Sequence, residues 1–310
     1  MRVTSYRRKP PALRVGDTVG VVAPAAAIEA EFLEQGIAAL REMGYRVKVS
    51  AHALDRAGIL AGSDADRANE LNRFFADPEV KAIFGARGGY GCGRLLPLID
   101  FAAIARNPKI FLGFSDATFL LNPLVDKSTT VAFHGPMVAI DFARGLSDGA
   151  RLHLMRLLSD THDGFELQAR EVIRPGIAEG ELIGGCLSVV VAMLGTPWAA
   201  NFNNRMLFLE DTGEKAYRID RMLVHLRQSG ALDHVAGIIF GAIRPYDSSE
   251  AERLRITDFV NDATAELSCP VLSGIEAGHG TENLTLPFGV RVRLDGDQRK
   301  LIVTEAAVSD

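Results

Sequence analysis

The sequence predicts an α/β protein of two domains, the first built on a parallel sheet with helices on both faces. Short apolar runs alternate with helical patterns over short connections across residues 18–113, the pattern of strand-helix-strand units. A stretch of weaker periodicity near mid-chain then separates this part from a second series of strands and helices. The chain has 310 residues, 47% hydrophobic and 24% charged, enough to bury a sizeable core in each domain and too apolar for disorder.

The elements follow in order. Residues 18–23 are a valine-rich run, followed by Leu33, Ile37 and Leu40 at helical spacing and by Gly44 as a helix stop. Residues 45–50 read as a strand. Ser63, with Asp66 three residues on, opens a helix that carries Leu71 and Phe75 and ends at Pro78. Residues 80–86 are strand-like, 92–98 and 101–106 are short helices, and 109–113 form another buried strand. Residues 148–178 carry one helix around 152–158 and a polar stretch near 160–163. This places an amino-terminal domain at 1–160, a connection at 161–178 and a carboxyl-terminal domain at 179–310. In the last, residues 183–194 read as a buried helix and 206–209 as a strand. Ile219, Met222, Leu223 and Leu226 mark one helix face, stopped by Gly230. A strand at 235–240, a helix opened by Ser249 with Glu252, a strand at 270–275 and a pair at 290–294 and 300–304 complete the chain.

Composition excludes several functions. With 34 basic and 39 acidic residues the formal charge is -5, and no stripe of like charge is present to neutralise a phosphate backbone, so nucleic acid is not an expected partner. The most apolar stretch, 183–194, is too short to span a bilayer, so no membrane partner is expected. Cys92, Cys186 and Cys269 are odd in number and none lies in a CxxC pair, which favours a reducing, cytoplasmic compartment over a disulfide framework or zinc knuckle. Arg7, Arg8 and Lys9 precede an apolar run at 19–28 with Ala-x-Ala spacing. Asp17 before the run, Pro24 inside it and a helical pattern directly after it favour a first buried strand over an export signal.

Ligands of parallel sheets bind at the carboxyl ends of the strands. Two sharp turns lie there: Arg87-Gly88-Gly89-Tyr90-Gly91, and Phe114-Ser115-Asp116. The second is part of a Gly-x-Ser-x-Ala run between a strand and a helical pattern, the setting of a nucleophile elbow, although a Ser-Asp pair after a strand also serves as a helix cap. A serine hydroxyl needs a base within hydrogen-bond reach. His279, between Gly278 and Gly280, is the best candidate; His134, in Phe133-His134-Gly135-Pro136, is the rival, with a proline turn that suggests a structural role. His153 and His225 fall in helical patterns, His52 and His234 look like surface positions, and His162 lies in the polar stretch. The base needs an acid to fix its tautomer. Glu210, at the end of a buried strand, is the simplest choice, with Asp211 and Glu214 as alternatives beside the loop 212–215. The glycines at 88, 89 and 91 let backbone N–H groups turn toward an oxyanion. Neither nucleotide fingerprint, GxGxxG into a helix or GxxxxGK[ST], is met there. Arg87 either clamps a carboxylate or braces the loop.

Taken together, these blocks resemble the LD-carboxypeptidase family of serine peptidases, which also includes microcin immunity hydrolases. The resemblance spans nearly the whole chain. It rests on Gly16-Asp17-Thr18 through Ala23-Pro24, Arg67 through Leu71 into the turn at Arg87, and Asn107-Pro108-Lys109 into Gly113-Phe114-Ser115-Asp116. It continues through Phe133-His134-Gly135-Pro136, Gly184-Gly185 to Gly195-Thr196-Pro197, Leu209-Glu210-Asp211, and Gly278-His279-Gly280 with Leu286-Pro287-Phe288-Gly289. One departure is Cys186, where many members carry asparagine.

The resemblance implies a flavodoxin-like or amidotransferase-like amino-terminal domain carrying Ser115 and a distinct α/β domain carrying Glu210 and His279 as the rest of a triad. It implies an oxyanion hole from the backbone N–H of Asp116 and one from Gly88 or Gly89, no metal or cofactor, and a homodimer. The implied reaction is hydrolysis of the amide before a terminal D-alanine in a murein tetrapeptide, as in cell-wall recycling. Alternatives are a hydrolase of microcin-like peptidyl nucleotides, for which Trp198 would be an aromatic platform, and a non-catalytic two-lobed binding protein.

Overall fold

The structure is a computed structural model and describes residues 7–162, 164–247 and 249–310. Asp163, within the predicted polar stretch, lies outside the described residues. The chain divides into two compact units. The first runs to Thr161 and includes Thr285–Gly289 and Ala306–Asp310; the second comprises His162–Leu284 and Val290–Glu305.

The first unit begins with β1 (Thr18–Val22), α1 (Ala30–Glu42), β2 (Arg46–Val49), α2 (Asp64–Ala76) and β3 (Val80–Gly85). A 3-10 segment at Cys92–Leu98 and α3 (Phe101–Arg106) lead to β4 (Ile110–Gly113). After α4 (Thr118–Asp126) come β5 (Ala132–His134), a π-type turn at Val138–Phe142 and α5 (Asp148–Ser159). The helix starts follow the sequence: Ser63 Oγ accepts a hydrogen bond from Asp66 N at 3.1 Å, satisfying one of the amides that a helix start leaves unpaired. On α1, Leu33, Ile37 and Leu40 are buried as their spacing predicts. Gly36 is buried beside them, and a Cβ there would lie 2.0 Å from Val138 O, so glycine is what lets the helix meet the π-type turn.

Strands β2, β1, β3, β4 and β5 lie side by side in that order and all pair in parallel. This is the flavodoxin-like order, with its reversal between β1 and β3, so the loops that leave those two strands open the crevice where such sheets bind ligands. The sheet is closed by a strand from far along the chain, which pairs antiparallel with β5 at residues 286–288.

The second unit has an eight-stranded mixed sheet. It contains β6 (Phe165–Gln168), β7 (Glu171–Arg174), β8 (Ile177–Cys186), α6 (Leu187–Met193), β9 (Arg205–Glu214), α7 (Ala216–Gln228), β10 (Gly237–Pro245), α8 (Glu250–Thr264) and β11 (Val271–Ser273). The strand just described in the first sheet is β12 (Leu286–Phe288), and β13 (Arg291–Asp295) and β14 (Lys300–Val303) end the second. The order is β6-β14-β13-β8-β9-β10-β11-β7, with β8 to β11 parallel and the flanking strands antiparallel.

Three segments differ from their sequence reading. Residues 161–178, read as a connection, supply β6, β7 and the start of β8, each paired within the sheet. Residues 183–194, read as one buried helix, begin as strand and turn helical only at Leu187. A short apolar run has no periodicity to separate buried strand from buried helix. Gly184, at φ +128°, decides it locally, since a Cβ there would lie 2.0 Å from Phe208 O in β9. Strand β9 also runs on through the predicted loop to Glu214, because Asp211, Thr212 and Glu214 pair with Ile243, Arg244 and Pro245 of β10, across two shifts of register, despite their polarity. Among the described residues no helix is long and apolar enough to cross a membrane.

Candidate active site

In the first unit, Ser115 directly follows β4 and Phe114 and has φ +58°, the left-handed region that costs a non-glycine residue free energy. It starts a 3-10 turn, Ser115–Ala117, that runs into α4. This is the strand-turn-helix geometry of a nucleophile elbow. The competing cap reading is not met, since neither this turn nor α4 has a side-chain cap bond at its start. Asp116 is buried, and its Oδ2 accepts a hydrogen bond from Cys92 N at 2.7 Å. Burial pushes its carboxyl pKa up, while the bonds from the Cys92 N–H and thiol and the Arg67 charge pull it down.

The glycine-rich turn lies against the serine. A Cβ on Gly88 would be 3.0 Å from Ser115 Cβ, 3.1 Å from its Oγ and 3.3 Å from Asp116 N, so any side chain at 88 would crowd the hydroxyl. Gly89 has φ +97° and would bring a Cβ to 2.8 Å from Ala26 Cβ. Arg87 is half-buried and donates from Nη1 to the backbone carbonyl Ala27 O at 3.1 Å. Sequence reasoning missed Arg67, whose side chain is 1% exposed and donates to Pro24 O, to Gly91 O at 3.1 Å and to Asp64. Its signals, to which no role was attached, were an arginine on the otherwise buried face of α2 and its place at the head of one of the resembling blocks. The rival histidine, His134, is fully buried on β5, with its ring 5.8 Å from that of Phe114 and 5.5 Å from that of Phe288. It is a core residue.

In the second unit, Glu210 is fully buried on β9 and His279 lies on the loop after β11. Glu210 Oε2 accepts from both the backbone N–H of His279, at 3.0 Å, and the ring Nδ1, at 2.6 Å. Two bonds to one residue fix the loop and the imidazole together. Gly278 makes the approach possible, since it sits at φ +89° and a Cβ there would lie 2.4 Å from the same Oε2. Its N–H is held by Asn283 Oδ1 at 2.9 Å, a buried contact that no sequence pattern announced. The alternative acids are engaged elsewhere. Asp211 accepts from Ser188 N and from Thr212 N, each at 2.7 Å, and burial pushes its pKa up. Glu214 forms a surface ion pair with Arg218 at 3.3 Å. Cys186 pairs in register with Glu210 on the neighbouring strand, and burial first, then the Glu210 charge, push its thiol pKa well up.

A serine on a strained turn and, in the other unit, a histidine held by a buried carboxylate are the residue types that serine-type peptidase chemistry uses. Residues 19–135 match the LD-carboxypeptidase N-terminal domain and residues 179–294 the LD-carboxypeptidase C-terminal domain. The chain is 36% identical to the "Probable murein peptide carboxypeptidase" of Bacillus subtilis, over 99% of this chain and 98% of that protein. It is 27% identical to the microcin C7 self-immunity protein MccF of Escherichia coli, over 100% of this chain and 99% of that protein. Among solved structures, a muramoyltetrapeptide carboxypeptidase from Oxalobacter formigenes superposes with a TM-score of 0.85 at 29% identity, over 94% of this chain and 100% of that one. The chain belongs to the LD-carboxypeptidase family of serine peptidases. Membership sets aside the reading as a non-catalytic binding protein.

Proposed function

We propose that this peptidase removes the terminal D-alanine from a murein tetrapeptide, with Ser115 as nucleophile, His279 as general base and Glu210 as the acid that orients it. The observation that carries the reading is the doubly bonded Glu210–His279 pair. A buried carboxylate on Nδ1 sets the tautomer in which Nε2 accepts a proton, and it stabilises the imidazolium that results. Ser115 Oγ then attacks the carbonyl carbon of the L,D-amide while His279 takes its proton. The backbone N–H groups of Asp116 and of the Gly88-Gly89 turn receive the oxyanion. Collapse expels D-alanine, protonated by His279, and water cleaves the acyl-serine by the same route reversed.

Substrate choice is supported by the identity to the murein peptide carboxypeptidase of B. subtilis across nearly the full length of both chains. A carboxypeptidase recognises a free carboxylate, and Arg87 is the cation we assign to it, with a guanidinium beside the glycine turn. A cytoplasmic homodimer completes the proposal, on the strength of three cysteines with no CxxC pair and of the family resemblance.

Mass spectrometry of murein tetrapeptide incubated with the protein tests the reading. D-alanine and tripeptide should appear, the amidated and L-alanine-ending analogues should react far more slowly, and Ser115→Ala should be inactive. Cleavage of a peptidyl-adenylate mimic without action on the tetrapeptide would move the assignment to a MccF-like hydrolase.

A further inference from the structure

The carbonyl of Gly91 and the N–H of Cys92 belong to one peptide group, and both ends of it are held by buried charged side chains. Arg67 donates from Nη1 to Gly91 O at 3.1 Å, and Asp116 Oδ2 accepts from Cys92 N at 2.7 Å. Arg67 and Asp116 are 3% and 4% exposed, so neither bond is shared with bulk solvent. The peptide dipole runs from its oxygen, the negative end, to its N–H, the positive end, so a cation at one and a carboxylate at the other both stabilise a single orientation. Hydrogen bonds to ionised groups are about twice as strong as neutral ones.

We propose that Arg67 and Asp116 are positioning residues that grip the Gly91–Cys92 peptide from both ends and so hold the glycine-rich turn against Ser115. The inference rests on the reading of that turn as the oxyanion site. The grip closes the turn at its far end, while Gly88 abuts Ser115 at its near end. Arg67 also donates to Pro24 O, so the same guanidinium ties the loop after β1 to the loop after β3, across the reversal in strand order. Gly91 is part of the device: a Cβ there would lie 2.7 Å from Arg67 Nη1. The buried cation is balanced by Asp64, which is itself bonded by Arg94. Asp116 adjoins the nucleophile in sequence, so its carboxylate couples the elbow to the turn directly.

The test uses Ser115 reactivity, which does not depend on knowing the peptide substrate. A fluorophosphonate phosphonylates serine nucleophiles, an O–P bond forming as the P–F bond breaks and fluoride leaves, and it develops negative charge on the same oxygen position. The parent should be labelled at Ser115, and Ser115→Ala should not. Asp116→Ala and Arg67→Lys should each lower the limiting labelling rate at least about tenfold with little change in reagent affinity, since a displacement near 1 Å costs about 100-fold. Asp116→Asn, which keeps an acceptor for Cys92 N–H, should recover most of the rate. A limiting rate within about twofold of the parent in folded Asp116→Ala or Arg67→Lys, or equal losses in Asp116→Asn and Asp116→Ala, would overturn the clamp. If Asp116→Ala does not fold, Arg67→Lys decides alone. An unlabelled parent, or labelling that survives in Ser115→Ala, would instead overturn the nucleophile assignment beneath it.

Discussion

Gly278 and Glu210 occupy a space with room for only one side chain: the Glu210 carboxylate fills the position that a Cβ on residue 278 would take, at 2.4 Å. The identity of a loop glycine is thereby tied to a carboxylate 68 positions earlier in the chain. Gly278→Ala should displace Glu210 or His279 and lower kcat at least about 100-fold, besides the cost of about 1 kcal/mol for an alanine at positive φ. Gly213→Ala is the control, because Gly213 also has positive φ, +76°, but no atom within 4 Å of its Cβ position. It should lower the melting temperature with little effect on kcat. Equal kinetic losses in the two variants would show strain alone to be responsible.

The acid assignment predicts a large difference between neighbours on one strand. Glu210→Gln should cost about 100- to 10,000-fold in kcat, since an amide cannot stabilise the imidazolium. Glu214→Gln breaks only a surface ion pair with Arg218 and should keep activity within about threefold, as exposed pairs contribute little. Melting curves of both proteins separate lost chemistry from lost folding.

Gly88→Ala tests contact in place of strain, because Gly88 does not have a positive φ. Its Cβ would press on Ser115 Cβ and Oγ at 3.0 and 3.1 Å. The expected outcome is a fall of about ten- to a hundredfold in kcat, with a melting temperature close to that of the parent, since misplacement by a fraction of an ångström suffices. A normal kcat in this variant would place the reacting geometry away from the turn.

Lys109 predicts a pH dependence of stability. It is 5% exposed, bonds through Nζ to Phe74 O at 2.9 Å and to Asp77 O, and burial lowers its pKa from 10.5 to about 8. Between those values the unfolded chain retains a proton that the folded one has released, so the Lys109 contribution to stability rises with pH across that window. Below it, the cost of a buried ammonium is present in full. Urea unfolding at pH 7.5 and 9.5 should show the parent gaining on Lys109→Met at the higher pH. A difference that stays constant would refute the shift.

The sequence alone determined the strand and helix alternation of the first unit, since Val19, Leu33, Ile37, Leu40 and the Ser63 cap each carry a local signal that their neighbours do not contradict. It also marked Ser115, His279 and the glycine turn as candidates, and it was the family resemblance, carried by the order and spacing of many blocks, that joined them with Glu210. Periodicity could not resolve the second unit equally well. Whether residues 183–186 are strand depends on Gly184 meeting Phe208 O, and whether 212–214 extend a strand depends on pairing with β10. Both partners lie far along the chain. The same holds for the choice of Glu210 over Asp211 beside His279, for the entry of β12 into the first sheet, and for the grip of Arg67 and Asp116 on one peptide. Each is a contact between residues distant in sequence, and such contacts are decided by packing in three dimensions, where local pattern carries no information about the partner.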